Sequence, residues 1–90
     1  MLKELSEIIE DRKNKMPEGS YTVELLQAGQ DQVLKKVGEE AMEVILAAKG
    51  QGSQRLVEET ADLLYHLLVM LAAHDLTLSD VEEELRRRHG

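Results

Sequence analysis

Apolar residues along this chain recur at helical spacing, and no segment shows the strict alternation of a half-buried strand. The pattern predicts five helices. The first runs from about Leu2 to Lys15, with Leu2, Leu5, Ile8 and Ile9 on one stripe. It breaks in the turn MPEGSY, where the only proline, Pro17, is followed by Gly19 and Ser20. A short helix covers Thr22 to Ala28 and stops at Gly29. Asp31 is the expected cap of a third helix, which reads to Lys49 and ends at Gly50. The QGS turn leads into a fourth, from about Ser53 to His74. Ser79 and Glu82 have the spacing of a capping box and open a last helix through Arg88.

The third and fourth helices define the fold class. Ala41–Ala48, AMEVILAA, is apolar at every position except Glu43, and Asp62 stands at the entrance of the run LLYHLLVMLAA. A helix that is apolar all round is buried all round. The second run, Leu63–Ala73, falls far short of the ~20 residues that span a bilayer. It therefore reads as a buried helix and not as a membrane anchor. Ninety residues make one domain, and two fully buried helices are more than so short a chain can cover alone. The expectation is a single all-α domain over residues 1–90, a bundle of four to five helices completed by dimerisation.

Composition narrows the partners. A net charge of −7 argues against a nucleic-acid-binding surface, though not against a phosphorylated substrate if cations reverse the local sign. Without Phe or Trp the core is aliphatic, and pairing with a second copy is the obvious way to bury more of it. The lack of cysteine excludes disulfides and thiolate metal sites and fits a reducing compartment. The charged N-terminus has no apolar signal core, so a cytoplasmic location is expected.

Candidate chemistry lies in the acids. The third helix carries Glu39, Glu40 and Glu43; the fourth carries Glu58, Glu59 and Asp62. Residues three apart share a helix face, so Glu40 pairs with Glu43 and Glu59 with Asp62. The short Gly50–Ser53 link makes these helices antiparallel neighbours, and the two acidic pairs then face each other. Two carboxylates ~5 Å apart repel by roughly 3 kcal/mol at an effective dielectric near ~20. Such a group needs cations, and an oxygen-only donor set suits Mg²⁺, with Mn²⁺ as a substitute. Acid-rich helices more commonly present solvated faces. Here Glu43 and Asp62 interrupt apolar runs, where a buried carboxylate needs a partner, and this favours a divalent-cation site.

These residues also carry a resemblance. E-E-x-x-E followed by E-x-x-D on the next helix resembles the all-α nucleotide pyrophosphohydrolase superfamily that includes MazG and dimeric dUTPases. The segments Arg12–Thr22, Leu25–Lys49, Leu56–Ala72 and Asp80–His89 resemble the phosphoribosyl-ATP pyrophosphohydrolases of histidine biosynthesis more closely. PEGSYT together with KKVGEEAMEVI is the specific part. The resemblance implies an all-α dimer that hydrolyses phosphoribosyl-ATP between its α and β phosphates, releasing pyrophosphate. It implies Glu40, Glu43, Glu59 and Asp62 as Mg²⁺ ligands, and Glu39 as a base or a ligand to a second ion. The cyclohydrolase domain fused to this one in some relatives is missing, which implies the stand-alone form.

A substrate so rich in phosphate needs cations beyond the metal. Lys36, four residues before Glu40, is better placed than Lys35, and Arg12 and Lys13 precede the PEGSYT turn. For each the plain alternative is a solvated surface charge. Ser20, Tyr21 and Thr22 either donate hydroxyls to phosphate or cap the next helix. His66, four residues after Asp62, either orients that carboxylate or is a satisfied core histidine, the commoner case. The macrodipole of the last helix accounts for Arg86, Arg87 and Arg88. The acidic motif alone also permits a house-cleaning hydrolase of other nucleoside triphosphates, and acidic helices without chemistry permit a non-catalytic dimerisation module.

Overall fold

The computed structural model describes Met1–Gly90 and contains helices only. In chain order they are α1 (Leu2–Lys15), α2 (Tyr21–Ala28), α3 (Gln30–Gly50), α4 (Ser53–Ala73) and α5 (Leu78–His89). The all-α expectation is met. Helix α1 ends where Met16 turns left-handed (φ 51°) before Pro17, with its N–H bonded to the Arg12 carbonyl at 2.8 Å. The long pair α3 and α4 are joined only by Gln51 and Gly52 and pack along each other as the main contact of the molecule. Helices α1 and α2 cover one side of this hairpin, and α5 lies against α1 and, through Leu78, against the core cluster.

Several element starts differ from the sequence expectation, each for a local reason. Helix α2 begins at Tyr21, because the Ser20 hydroxyl accepts the Val23 N–H at 3.3 Å. Asp31 does not cap α3. Gly29 does, at φ 102°, a conformation open to glycine and strained for other residues, so α2 and α3 are separated by a single residue. Asp31 falls inside the first turn, where its charge favours the helix N-terminus. Helix α4 stops one residue early, with His74 as its C-cap. The box that opens α5 is Thr77 with Asp80 and not Ser79 with Glu82: the Thr77 N–H donates to Asp80 Oδ2 at 2.9 Å.

The core is small. Ile9, Leu25, Val33, Leu68, Val69 and Ala72 form one cluster, flanked by Leu5, Leu26, Tyr65, Met70, Leu71 and Leu78. Only 11 of the 90 residues are buried, so the two apolar runs are not covered on all sides by this chain. Met42, Ile45 and Leu46 on α3 and Val57 and Leu64 on α4 lie exposed. An apolar groove of about 250 Å³ opens between Leu2, Leu64, Leu67, Leu71, Leu78 and Val81. The radius of gyration, 14.1 Å, exceeds the ~12 Å of a compact 90-residue globule. No helix is long and apolar enough to cross a membrane.

Candidate functional site

The α3–α4 hairpin brings acids from its two arms together. One carboxylate oxygen each from Glu40, Glu59 and Asp62 lies within 4.8 Å of the others. Depth differs sharply among them: Glu59 is buried, Glu40 half-buried and Asp62 exposed. From sequence Glu43 and Asp62 are expected to be the buried pair, and the structure corrects this. Both are exposed in the chain, and Glu59 is the carboxylate taken out of water. The reason is register. Glu59 falls on the inward stripe of α4 with Leu56, Leu63 and His66, whereas Asp62 lies toward its edge. Glu43, one turn beyond Glu40, stands outside the three-oxygen cluster, close enough to Arg55 to feel its charge. Glu39 and Glu58 are exposed beside it.

Each buried or half-buried acid of the cluster has a basic residue one turn earlier. Lys36 Nζ lies 3.3 Å from Glu40 and 4.0 Å from Glu39. Burial works against the charge on Lys36, but Glu40, Tyr21 and Glu39 outweigh it and hold the ammonium above its ordinary range. Arg55 pairs with Glu59 and reaches Glu58 at 2.8 Å. Hydrogen bonds from Gln54 and Arg55 hold the Glu58 carboxyl below the usual carboxylate range. Arg55 escaped the sequence reading although its signal, a basic residue four before an acid, was present.

Above this cluster lies an aromatic group. His66 Nδ1 is 2.7 Å from the Asp62 carbonyl, and its Nε2 is 3.1 Å from the Tyr21 hydroxyl. A carbonyl only accepts, so Nδ1 carries a proton, and in the neutral ring Nε2 accepts from Tyr21. Both ring nitrogens are occupied, which makes His66 a satisfied core histidine with no free ligand atom. Thr22 bonds the Tyr65 hydroxyl, and burial pushes that phenol up. The Tyr21–His66 and Thr22–Tyr65 contacts join residues more than forty positions apart and leave no trace in local sequence.

The other basic candidates pair with acids outside the cluster. Arg12 pairs with Asp11 at 3.2 Å in a shallow hollow formed with Lys15 and the Pro17–Ser20 turn. Lys13 pairs with Asp75, beyond the far end of α4, where roughly 17 Å of helix separates Asp62 from Ala73. Arg86, Arg87 and Arg88 pair with Glu83 and Glu84 within α5.

The model of the phosphoribosyl-ATP pyrophosphohydrolase family matches residues 2–89. The chain belongs to this family. Curated members of similar sequence include the phosphoribosyl-ATP pyrophosphatase of Metallosphaera sedula, 54% identical over 88 residues, which cover 98% of this chain and 95% of that one. That of Geobacter sulfurreducens is 53% identical over 90 residues, covering 100% and 83% of the two chains. The histidine biosynthesis bifunctional protein HisIE of Bacillus subtilis is 52% identical over 90 residues, which make up 43% of its length. In this pyrophosphohydrolase, then, the three converging carboxylates form the acidic centre of the fold.

Proposed function

We propose that this chain hydrolyses phosphoribosyl-ATP to phosphoribosyl-AMP and pyrophosphate, the second step of histidine biosynthesis, in a Mg²⁺-dependent reaction in the cytoplasm. Family membership over nearly the whole chain carries the substrate and reaction class. The observation that supports the metal is the convergence of Glu40, Glu59 and Asp62. Mg²⁺ binds oxygens at ~2.1 Å, so ligand oxygens on one ion lie no more than ~4.2 Å apart. The observed spacing fits after a small side-chain adjustment.

In this reading Glu40, Glu59 and Asp62 hold the ion, and Glu43 joins them from the next turn of α3. The bound ion supplies neutralisation of the polyphosphate and a more acidic water. Glu39, exposed one residue before Glu40, takes the proton as the water oxygen bonds to phosphorus and the α–β anhydride breaks. Lys36, between Glu39 and Glu40, holds a phosphate oxygen; Arg12 and Lys13 bind phosphate from α1. That last assignment requires Lys13 to leave Asp75, or substrate to approach the α1 end.

The working unit in this proposal is a homodimer. Support comes from the small buried core, the exposed Met42, Ile45, Leu46, Val57 and Leu64, and the apolar groove beside α5. Release of pyrophosphate from phosphoribosyl-ATP, compared with a panel of ordinary nucleoside triphosphates, tests the function. Selective turnover of phosphoribosyl-ATP is expected. Equal turnover of the panel would make the chain a broad nucleotide hydrolase, and no turnover of any would leave a non-catalytic module.

A further inference from the structure

Two basic residues sit where a divalent cation is proposed to act. Lys36 reaches Glu40 along α3, and Arg55 reaches Glu59 along α4, both four residues ahead of their acid. The side chains they neutralise are 13% and 8% exposed. A carboxylate removed from water needs a positive partner. A guanidinium and a divalent ion repel each other strongly at hydrogen-bonding range, so both cannot lie against the same carboxylate at no cost.

We infer that Arg55 is a resident counter-ion of Glu59 that a divalent cation displaces, and that the freed guanidinium then binds phosphate oxygens of the substrate. The inference rests on the proposed metal site. Three features of Arg55 suit it to both tasks. Its side chain is half exposed, so it can swing outward without crossing the core. Its second contact, to Glu58 at 2.8 Å, lies on the exposed side of α4 and keeps the guanidinium at the rim when Glu59 is taken. Its planar fork matches phosphate oxygens in pairs, which an ammonium does not. Lys36 stands in the same relation to Glu40 on α3 and is less exposed. The arrangement couples the two ligands: the metal releases cations toward phosphate, and phosphate draws those cations away from the metal's carboxylates. Each ligand then raises affinity for the other.

Calorimetric titration with Mg²⁺ alone, then with inorganic pyrophosphate at saturating Mg²⁺, tests this on the wild type, Arg55→Gln, Arg55→Lys and Glu59→Gln. Arg55→Gln is expected to bind Mg²⁺ about fivefold more tightly, since a competing cation is gone. It should bind pyrophosphate about tenfold more weakly. A residue that merely braces α4 would lower the melting temperature and leave Mg²⁺ affinity unchanged or weaker, and that result overturns the counter-ion role. Unchanged pyrophosphate affinity overturns the phosphate role. Arg55→Lys guards against a folding defect in the Gln variant. It keeps the charge, so Mg²⁺ affinity should stay within about twofold of wild type while pyrophosphate binding still weakens; wild-type pyrophosphate binding would count against the fork. Glu59→Gln separates failure of the metal site from failure of the Arg55 role. If it keeps wild-type Mg²⁺ affinity, the metal site itself is wrong, whatever Arg55 does.

Discussion

Glu59 is the carboxylate that the fold withdraws from water, and Arg55 offsets the cost of doing so. Glu59→Gln and Asp62→Asn keep the side-chain shape and remove the charge. Each is expected to lower kcat by about 100-fold or more with an unchanged helical circular dichroism spectrum. Glu43→Gln is the sharper case, because Glu43 is exposed and outside the three-oxygen cluster. It too is expected to lose turnover, and wild-type activity in that variant would remove Glu43 from the ligand set. Cations should act differently from ligands, since phosphate charge is present in ground and transition states alike. Lys36→Ala and Arg12→Ala are expected to raise KM by about tenfold and to lower kcat less, with the reverse pattern in Glu40→Gln. Unchanged KM in Arg12→Ala, together with unchanged substrate affinity in Ca²⁺, would make Arg12 an ordinary surface charge. At this scale the Lys36–Glu40 pairing was legible, because four-residue spacing on a helix dictates it. The depth of each acid was not. It depends on which edge of α4 turns toward α3, and apolar neighbours in sequence misled the reading of Asp62.

Between elements, an exposed ion pair links Lys13 at the end of α1 to Asp75 after α4. The Lys13 contact holds the Asp75 carboxyl below its ordinary 3.8, and the Asp75 contact raises the Lys13 ammonium above its ordinary 10.5. A lowered acid contributes stability above its unfolded value and loses it as pH falls. A raised base contributes below its unfolded value and loses it as pH rises. The tie is therefore fully formed between about pH 4 and pH 10. Lys13→Met is expected to lower the melting temperature by a few degrees at pH 7, with the difference shrinking toward zero below pH 3. An equal loss at both pH values would show that packing of the Lys13 stem, and not its charge, is responsible. The start of α5 belongs to this scale too. The Thr77–Asp80 box starts the helix two residues before the expected Ser79–Glu82 box would. The earlier start places Leu78 and Val81 on one face along the groove lined by Leu67 and Leu71, and that packing selects it.

For the whole molecule, burial is the deciding quantity. A chain with 11 buried residues and a radius of gyration of 14.1 Å leaves much of its apolar surface in water. Leu67→Asp or Leu71→Asp, both in the apolar groove, is expected to abolish association or folding, whereas the wild type should sediment as a dimer at micromolar concentration. A stable, active wild-type monomer by sedimentation would contradict the proposed assembly.

The number of helices, their order and the pairing of α3 with α4 were determined by sequence alone, because 3.6-residue periodicity, Pro17 and the glycines at 29, 50 and 52 act locally. The approach of Glu40 to Glu59 and Asp62 was legible too, since the short link makes α3 and α4 antiparallel neighbours. Tertiary structure decided what locality cannot reach. It chose Glu59 as the buried acid, brought the Tyr21 hydroxyl to His66 Nε2, and sent Lys13 to Asp75. It also left Met42, Ile45 and Leu46 uncovered. Each of these depends on the azimuth of one helix against another, which a small core sets through packing and no short-range spacing encodes.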